Sequence, residues 1–124
     1  MTDPTTIAHR YIEVWNEVDP AQRRRLMEAS WIENASYVDP MMQGTGREQI
    51  GTLIGAVHER FPGHRFTLQG QPDGYGDRVR FSWTLAASGA PAVAHGTDFG
   101  VVTEDGRLSA VTGFLDQAPT EAVA

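Results

Sequence analysis

Phenol and carboxyl groups recur in this chain at spacings that place them on shared faces. Tyr11 and Trp15 are four residues apart in a stretch of helical periodicity, so they share one face of a helix. Tyr37 and Asp39 are two residues apart in an extended stretch, so they share one face of a strand. Asp98 stands in an apolar stretch that we expect to be a central strand, where carboxyl groups are rarely buried unless they are paired. Such groups can accept and donate protons at a bound ligand.

The composition excludes several other chemistries. The chain has 124 residues and ten basic side chains, all of them Arg, and it contains no Cys and no Lys. Schiff-base catalysis and P-loop phosphate binding need a Lys amine, while disulfides, thiol nucleophiles and cysteine zinc sites need a thiol. The four His residues are scattered without metal-ligand spacing, so we expect no metal and no cofactor.

The charge pattern limits the partners of the chain. Its net charge is −6, and its one basic run is Arg23-Arg24-Arg25, which we interpret as a solvated helix surface. A nucleic acid would need a broad basic face, so none is expected as a partner. There is no apolar run of about 18 residues and no evident secretion signal, so we expect no membrane partner and a cytoplasmic location.

Three helices and five extended segments would position the candidate groups. The apolar spacing predicts a helix that is capped by Thr5 or Thr6 and reaches Val18, a second helix over Pro20–Ser30 and a third over Arg47–Arg60. Alternation and turn signals predict extended segments at residues 31–39, 65–71, 78–87, 92–102 and 107–115. The predicted turns include Gly44-Thr45-Gly46 and Pro72-Asp73-Gly74. Short turns between the last four segments predict antiparallel pairing.

This order of elements predicts an α+β fold with the helices on one side of an antiparallel sheet. A strongly curved sheet would leave a cavity between the two layers. His95 and Asp98 differ in parity within one strand, so we expect their side chains on opposite faces of that sheet. We expect a single domain over residues 1–124, with a loose tail at residues 118–124.

Several segments of the chain resemble the nuclear transport factor 2-like superfamily, and more narrowly its ketosteroid isomerase and SnoaL-like polyketide cyclase branch. They are Tyr11-Ile12-Glu13-Val14-Trp15, Tyr37-Val38-Asp39-Pro40, Gly46-Arg47-Glu48-Gln49-Ile50, Thr97-Asp98-Phe99 and Gly113-Phe114-Leu115-Asp116. The resemblance covers nearly the whole chain. It implies a cone in which a curved antiparallel sheet wraps around about three N-terminal helices and encloses an apolar pocket. It also implies a small hydrophobic ligand and a homodimer formed through the sheet.

The resemblance implies a role for each of the three candidate acid–base residues. Tyr11 matches the tyrosine that binds the developing oxyanion, Asp39 matches the general base, and Asp98 matches a second, protonated oxyanion donor. Ketosteroid isomerase keeps such a carboxylic acid neutral so that it can donate a hydrogen bond. The side chains that we expect to contact the ligand are Trp15, Tyr37, Met42, Phe81, Trp83, Val111 and Leu115.

Three functions remain open at this point. The chain could be a cofactor-free isomerase, cyclase or dehydratase that moves a proton next to a carbonyl group. It could instead bind an apolar metabolite without turning it over, or serve as a dimerisation module with a vestigial pocket. Structural roles also remain open for the candidate residues, because Asp39 could cap the turn at Pro40 while Tyr11 and Asp98 could belong to the core.

Overall fold

The computed structural model describes residues 3–117, which form three helices and six strands. The helices are α1 (Pro4–Asn16), α2 (Pro20–Ser30) and α3 (Arg47–Arg60). The strands are β1 (Trp31–Val38), β2 (Gln43–Thr45), β3 (His64–Tyr75), β4 (Arg78–Ala87), β5 (Ala92–Val102) and β6 (Leu108–Gln117). The tail predicted at residues 118–124 lies outside the described residues. Within residues 3–117, no helix is long and apolar enough to cross a membrane.

The strands form one curved, open sheet in the order β2-β1-β6-β5-β4-β3. Neighbouring strands are antiparallel except for β1 and β6, which are parallel. Parallel strands need a long crossover connection, and here the chain from α3 to β5 supplies it. The predicted α+β cone is confirmed, with the qualification that its sheet is mixed.

The helices cover the inner face of the sheet. Along β5, Ala94, Gly96 and Asp98 point inward and are buried, while Phe99 is 42% exposed on the other face. Helix α1 packs against β3 and β4, and helix α3 packs against β1 and β2. A space therefore remains between the two helices, over the centre of the sheet.

Helix α1 begins earlier than its sequence suggested. Asp3 accepts a hydrogen bond from the backbone N–H of Thr6 at 3.2 Å, and Pro4 occupies the first helical position. The predicted cap at Thr5 or Thr6 is wrong, because the Asp3 carboxylate already caps the helix and Thr5 and Thr6 lie inside its first turn. Val18 lies beyond the end of the helix and is 67% exposed. The predicted bounds of α2 and α3 are confirmed.

Two of the predicted turns lie in strands. Residues 43–45 pair with β1 as the short strand β2, and β3 runs through Pro72-Asp73-Gly74 without ending. Gly70 has a φ of 74°, and the register between β3 and β4 shifts after it. A bulge at this point absorbs the proline, so the strand continues and the turn comes at Gly76 instead.

The first arginine of the basic run is not a solvated side chain. Arg23 is 5% exposed, and its guanidinium donates to the backbone carbonyls of Glu17 at 3.0 Å, Val18 at 3.2 Å and Gly51 at 3.1 Å. Burial lowers its pKa, and the nearby Glu17 carboxylate opposes that shift. Arg23 thus ties the α1–α2 connection to α3, whereas Arg24 is exposed as predicted.

Candidate active site

An apolar cavity of about 200 Å³ lies between the inner face of the sheet and helices α1 and α3. Most of its lining side chains are aromatic or aliphatic, and its polar groups are two phenols, two carboxyl groups and one guanidinium. The lining residues are Tyr11, Ile12, Trp15, Tyr37, Asp39, Met41, Met42, Ala56, Val57, Arg60, Phe61, Phe66, Trp83, Leu85, Ala94, Asp98 and Leu115.

Tyr11 and Asp98 form a buried phenol–carboxyl pair. The Tyr11 hydroxyl donates to Asp98 Oδ2 at 2.6 Å, and each residue is 2% exposed. Helix α1 carries the tyrosine toward the sheet, where its ring packs on Phe81 at 4.9 Å and Trp31 at 5.8 Å between ring centroids. The pair is therefore held by core packing except where it faces the cavity, and the carboxyl group has little access to water.

Burial sets the protonation of this pair. It raises the pKa of Asp98 from 3.8 to about 6, the Asp39 charge adds to the shift, and hydrogen bonds from Tyr11 and Trp83 oppose it. Burial also raises the pKa of Tyr11 well above its ordinary value, with the Asp98 charge as the next cause. Asp98 is consequently half protonated in mildly acidic solution, while the Tyr11 hydroxyl keeps its proton.

Tyr37 and Asp39 form a second phenol–carboxyl pair at the end of β1. The Tyr37 hydroxyl donates to Asp39 Oδ2 at 2.6 Å. The other carboxylate oxygen, Oδ1, accepts the backbone N–H groups of Met41 at 2.8 Å and Met42 at 2.9 Å. Asp39 thus caps the following turn and faces the cavity at the same time. Burial raises the pKa of Tyr37, and the charges of Asp98 and Asp39 raise it further.

Gly113 is the residue around which the two pairs meet. It is the register partner of Asp98 across β5 and β6. A Cβ atom at this position would lie 2.9 Å from Asp98 Oδ1, 3.2 Å from Asp39 Cβ and 3.5 Å from the Tyr37 hydroxyl. A glycine at this position leaves room for Asp98, Asp39 and the Tyr37 hydroxyl to meet, and Asp98 links Tyr11 to them. Sequence reasoning missed this role, although the signal was present as a glycine between two inward-facing apolar positions of β6.

A second glycine makes room for the Trp83 ring. A Cβ atom at Gly96 would lie 2.2 Å from that ring, so the indole crosses β5 over the glycine backbone. Gly96 lies next to Asp98 on the same face of β5, and it is small because the Trp83 ring fills the space that a side chain would need. It lets Trp83 from the adjacent strand reach the cavity beside Asp98, where its indole N–H lowers the pKa of the carboxyl group and so opposes the effect of burial.

The structure brings most of the predicted residues to the cavity. All three proposed acid–base groups line it, and so do Trp15, Tyr37, Met42, Trp83 and Leu115. Phe81 and Val111, which we expected to contact the ligand, lie in the packed core instead, at 2% and 1% exposure. The tyrosine ring on Phe81 covers it from the cavity side.

Sequence reasoning missed several of the lining residues, and four of them come from α3 and its C-terminal end. Ala56, Val57, Arg60 and Phe61 line the cavity, as does Phe66 at the start of β3. Val57 belongs to an apolar stripe of helical periodicity, but periodicity does not distinguish packing on a sheet from facing a cavity. The tilt of α3 decides between these two outcomes.

His95 lies apart from the site. It lines a shallow depression on the outer face of the sheet with Ser82 and Asp116, whereas Asp98 faces the cavity. The expected opposite orientation of His95 and Asp98 is confirmed. Within residues 3–117, no three His, Asp or Glu side chains lie close enough together to hold a metal ion.

A curved sheet that folds over three helices around an apolar cavity defines the cone of the nuclear transport factor 2-like superfamily. Within it, the sequence model of the SnoaL-like domain matches residues 8–111 of this chain. The chain therefore belongs to the SnoaL-like family. No curated protein sequence matches the chain.

Solved structures agree with this assignment. A SnoaL-like family protein from Agrobacterium tumefaciens, provisionally described as an isomerase, is 47% identical with a TM-score of 0.88, over 94% of this chain and 99% of that chain. A SnoaL-like protein from Burkholderia thailandensis is 15% identical with a TM-score of 0.71, over 93% and 98% of the two chains. A protein from Jannaschia, described as a candidate SnoaL-like polyketide cyclase, is 14% identical with a TM-score of 0.68, over 94% and 90%. At such low identity the last two share the fold alone.

Proposed function

We propose that this chain is a cofactor-independent acid–base enzyme that moves a proton next to the carbonyl group of a small hydrophobic compound. The observation that carries the proposal is the convergence of two phenol–carboxyl pairs on Gly113 inside one apolar cavity. A binding site for an apolar metabolite would need the cavity but not two paired acids. The provisional isomerase description of the 47% identical relative supports the same class of reaction.

The buried pair would bind the carbonyl oxygen. Enolisation places negative charge on that oxygen, and O–H donors fixed in an apolar site stabilise such charge. Tyr11 keeps its proton over the whole working range of pH, and its hydroxyl would turn from Asp98 Oδ2 to the ligand oxygen when the ligand binds. Asp98 can donate to the same oxygen once it is protonated. The surrounding aromatic side chains exclude water, which strengthens both hydrogen bonds.

The second pair would supply the base. The carboxylate of Asp39 has about four acceptor positions in all, two on each oxygen. Backbone N–H groups occupy Oδ1, and the Tyr37 hydroxyl occupies one position of Oδ2. The remaining position of Oδ2 would therefore take the proton from the carbon next to the carbonyl group. Tyr37 would orient this oxygen.

An isotope-exchange assay tests this proposal. In D₂O, proton NMR measures how fast the α-protons of small cyclic ketones are replaced by deuterium. We expect catalysed exchange by the wild type, a loss on the order of 1000-fold in Asp39→Asn, and a loss of about 100-fold in Tyr11→Phe. Asp73→Asn, an exposed carboxylate on β3, is the matched control and is expected to retain the wild-type rate.

Ligand binding is measured in parallel through the fluorescence of Trp15 and Trp83, which both line the cavity. A wild type that binds a ketone without exchanging its α-protons would contradict the enzyme and favour the binding protein. Equal exchange by Asp39→Asn would contradict the assigned base.

We also propose that the chain forms a homodimer through the outer face of the sheet. Phe99 and Phe114 lie on that face, 42% and 54% exposed, with ring centroids 5.7 Å apart. An exposed aromatic pair of this kind is typical of a surface that a partner covers. Sedimentation of the wild type against Phe99→Ser/Phe114→Ser tests it: a monomeric wild type would contradict the dimer. The cytoplasmic location stays a prediction.

A further inference from the structure

The cavity has two different ends along the sheet. Side chains on the inner face lie in rows of cross-strand partners, and along β5 each row is two residues, or about 7 Å, from the next. The row beyond that of Asp98, toward the end of β5, contains Val79, Gly100 and Val111, and none of these three described residues lines the cavity. A Cβ atom at Gly100 would lie 2.8 Å from the Leu108 side chain, so that row is already filled. Asp98 therefore marks one end of the cavity.

On the other side of Asp98 the cavity continues over two rows of apolar residues. The lining residues of these rows are Trp83 and Leu115 in the nearer row, and Phe66, Leu85 and Ala94 in the farther row. Ala94 is four residues from Asp98 on the same strand, which corresponds to about 13 Å. The cavity therefore extends along β5 from a carboxyl group to a row of hydrocarbon side chains.

The volume of the cavity limits how much of a ligand it encloses. An engineered apolar cavity of about 150 Å³ binds benzene, and the cavity here has about 200 Å³. In proportion it encloses about eight non-hydrogen atoms, which corresponds to one ring, a ketone oxygen and an arm of one or two carbons. Further atoms would pass out through the mouth, where the lining residues Met41, Ala56 and Arg60 are exposed.

Ala94 is the smallest of the sheet residues that line the cavity. It is 1% exposed, and its cross-strand partner is Leu85. A longer side chain at this position would extend from the inner face of the sheet into the far end of the cavity. The methyl group of Ala94 therefore sets how far a ligand can reach along β5.

We propose that the substrate is a compact ketone of about eight non-hydrogen atoms, whose carbonyl group meets Tyr11 and Asp98 and whose hydrocarbon arm extends along β5 to Ala94. The carbonyl end rests on the proposed function, whereas the length and the apolar character of the arm rest on the lining of the cavity. A polar group on the arm would be buried against Phe66 and Leu85, which is costly without a hydrogen-bond partner. Ala94 is thus a specificity-determining residue.

A series of ketones tests the length of the arm. It consists of cyclohexanone and its 4-methyl, 4-ethyl, 4-propyl and 4-butyl derivatives. Affinities are measured by the fluorescence of Trp15 and Trp83, and α-proton exchange by NMR in D₂O. We expect the affinity of the wild type to rise about fourfold with each carbon up to the ethyl compound. It is then expected to level off, because further carbons lie outside the cavity.

A matched pair of ketones tests the apolar character of the arm. 4-(Hydroxymethyl)cyclohexanone has nearly the same shape as 4-ethylcyclohexanone, and only its hydroxyl group differs. We expect it to bind the wild type about tenfold more weakly, because that hydroxyl group would be buried among apolar side chains. Equal or tighter binding of the alcohol would contradict a hydrocarbon arm.

Variants at position 94 test the residue that sets the length. Ala94→Leu is expected to bind cyclohexanone about as the wild type does, but to gain nothing from a methyl or ethyl arm. Ala94→Val adds fewer atoms, so it keeps the test available if the leucine variant does not fold, and we expect it to lose part of the gain. Ala29→Leu makes the same change at an exposed position of α2 and is expected to retain the whole series.

The two readouts distinguish the possible failures. An affinity that does not change along the series, that keeps rising through the butyl compound, or that follows the same course in both variants at position 94 would overturn the arm, while exchange would still support the enzyme. The expected series of affinities without any exchange would support the arm and contradict the proposed reaction. Failure of every ketone to bind at millimolar concentration would overturn the compact ketone as the substrate.

Discussion

The two phenol–carboxyl pairs of the cavity have the same chemical groups in different surroundings. Asp98 is 2% exposed and accepts from side chains, while Asp39 is half-buried and accepts two backbone N–H groups as well as a phenol. Burial therefore favours the neutral form of Asp98, whereas Asp39 is nearer to solvent and is held in place by three hydrogen-bond donors. One environment suits an acid and the other suits a base, so position rather than residue type assigns the roles.

The difference in surroundings should show most strongly in how the stability of the protein depends on the ionisation of Asp98. In the unfolded chain this carboxyl group ionises near 3.8, and in the folded chain near 6. Between these two values the unfolded chain binds fewer protons, so the free energy of unfolding falls as pH rises and is level above that range. We expect the wild type to lose about 3 kcal/mol relative to Asp98→Asn between pH 3 and pH 7.

Urea denaturation of the two proteins across this pH range measures the effect. Glu104→Gln, which changes an exposed carboxylate in the turn before β6, is the control and is expected to follow the wild type. Parallel stability curves for wild type and Asp98→Asn would contradict a raised pKa. Catalysed exchange by the wild type is also expected to decline above about pH 6, because Asp98 then loses the proton it would donate.

The substitution Gly113→Ala would push the two phenol–carboxyl pairs apart. A Cβ atom in Gly113→Ala would press on Asp98 and Asp39, and we expect a destabilisation of about 2 kcal/mol together with loss of exchange activity. Gly51→Ala is the matched control, because its nearest neighbour is 3.7 Å away and a helical alanine is favourable. Thermal unfolding and exchange assays compare them. Full activity in Gly113→Ala would mean that the pairs do not act together.

The smallest effect tests the donor that distinguishes the Asp39 pair. Tyr37→Phe removes the hydrogen bond to Oδ2 without changing the cavity wall, and we expect exchange to fall about tenfold through loss of orientation. Tyr75→Phe makes the same change at a side chain that is 80% exposed and is expected to have no effect. An unchanged exchange rate in Tyr37→Phe would mean that the two backbone N–H groups alone are enough to orient Asp39.

The fold was predictable where a local sequence signal sets the first or last residue of a helix. Asp19-Pro20 and Phe61-Pro62 mark the ends of helices, so the bounds of α2 and α3 followed from sequence. The course of β3 did not, because Pro72 is tolerated only through a bulge that depends on pairing with β4. Burial of Arg23 likewise depends on carbonyls from distant segments.

The candidate site was predictable in its acid–base groups but not in its shape. Tyr11, Asp39 and Asp98 stood out because such groups are unusual among apolar neighbours. Their meeting at Gly113 depends on the register between β5 and β6, which a single sequence does not reveal. The contribution of α3 to the cavity depends on the tilt of the helix.

The central claim is that the buried pair binds an enolate oxygen while the other pair faces the reacting carbon. A small phenol mimics an enolate, since it is a planar ring with partial negative charge on its oxygen. A crystal structure of the protein with such a phenol tests the claim directly. We expect its oxygen within about 3.2 Å of both the Tyr11 hydroxyl and an Asp98 carboxyl oxygen, with Asp39 Oδ2 against a ring carbon. A phenol bound with its oxygen at the mouth, away from Tyr11 and Asp98, would contradict it.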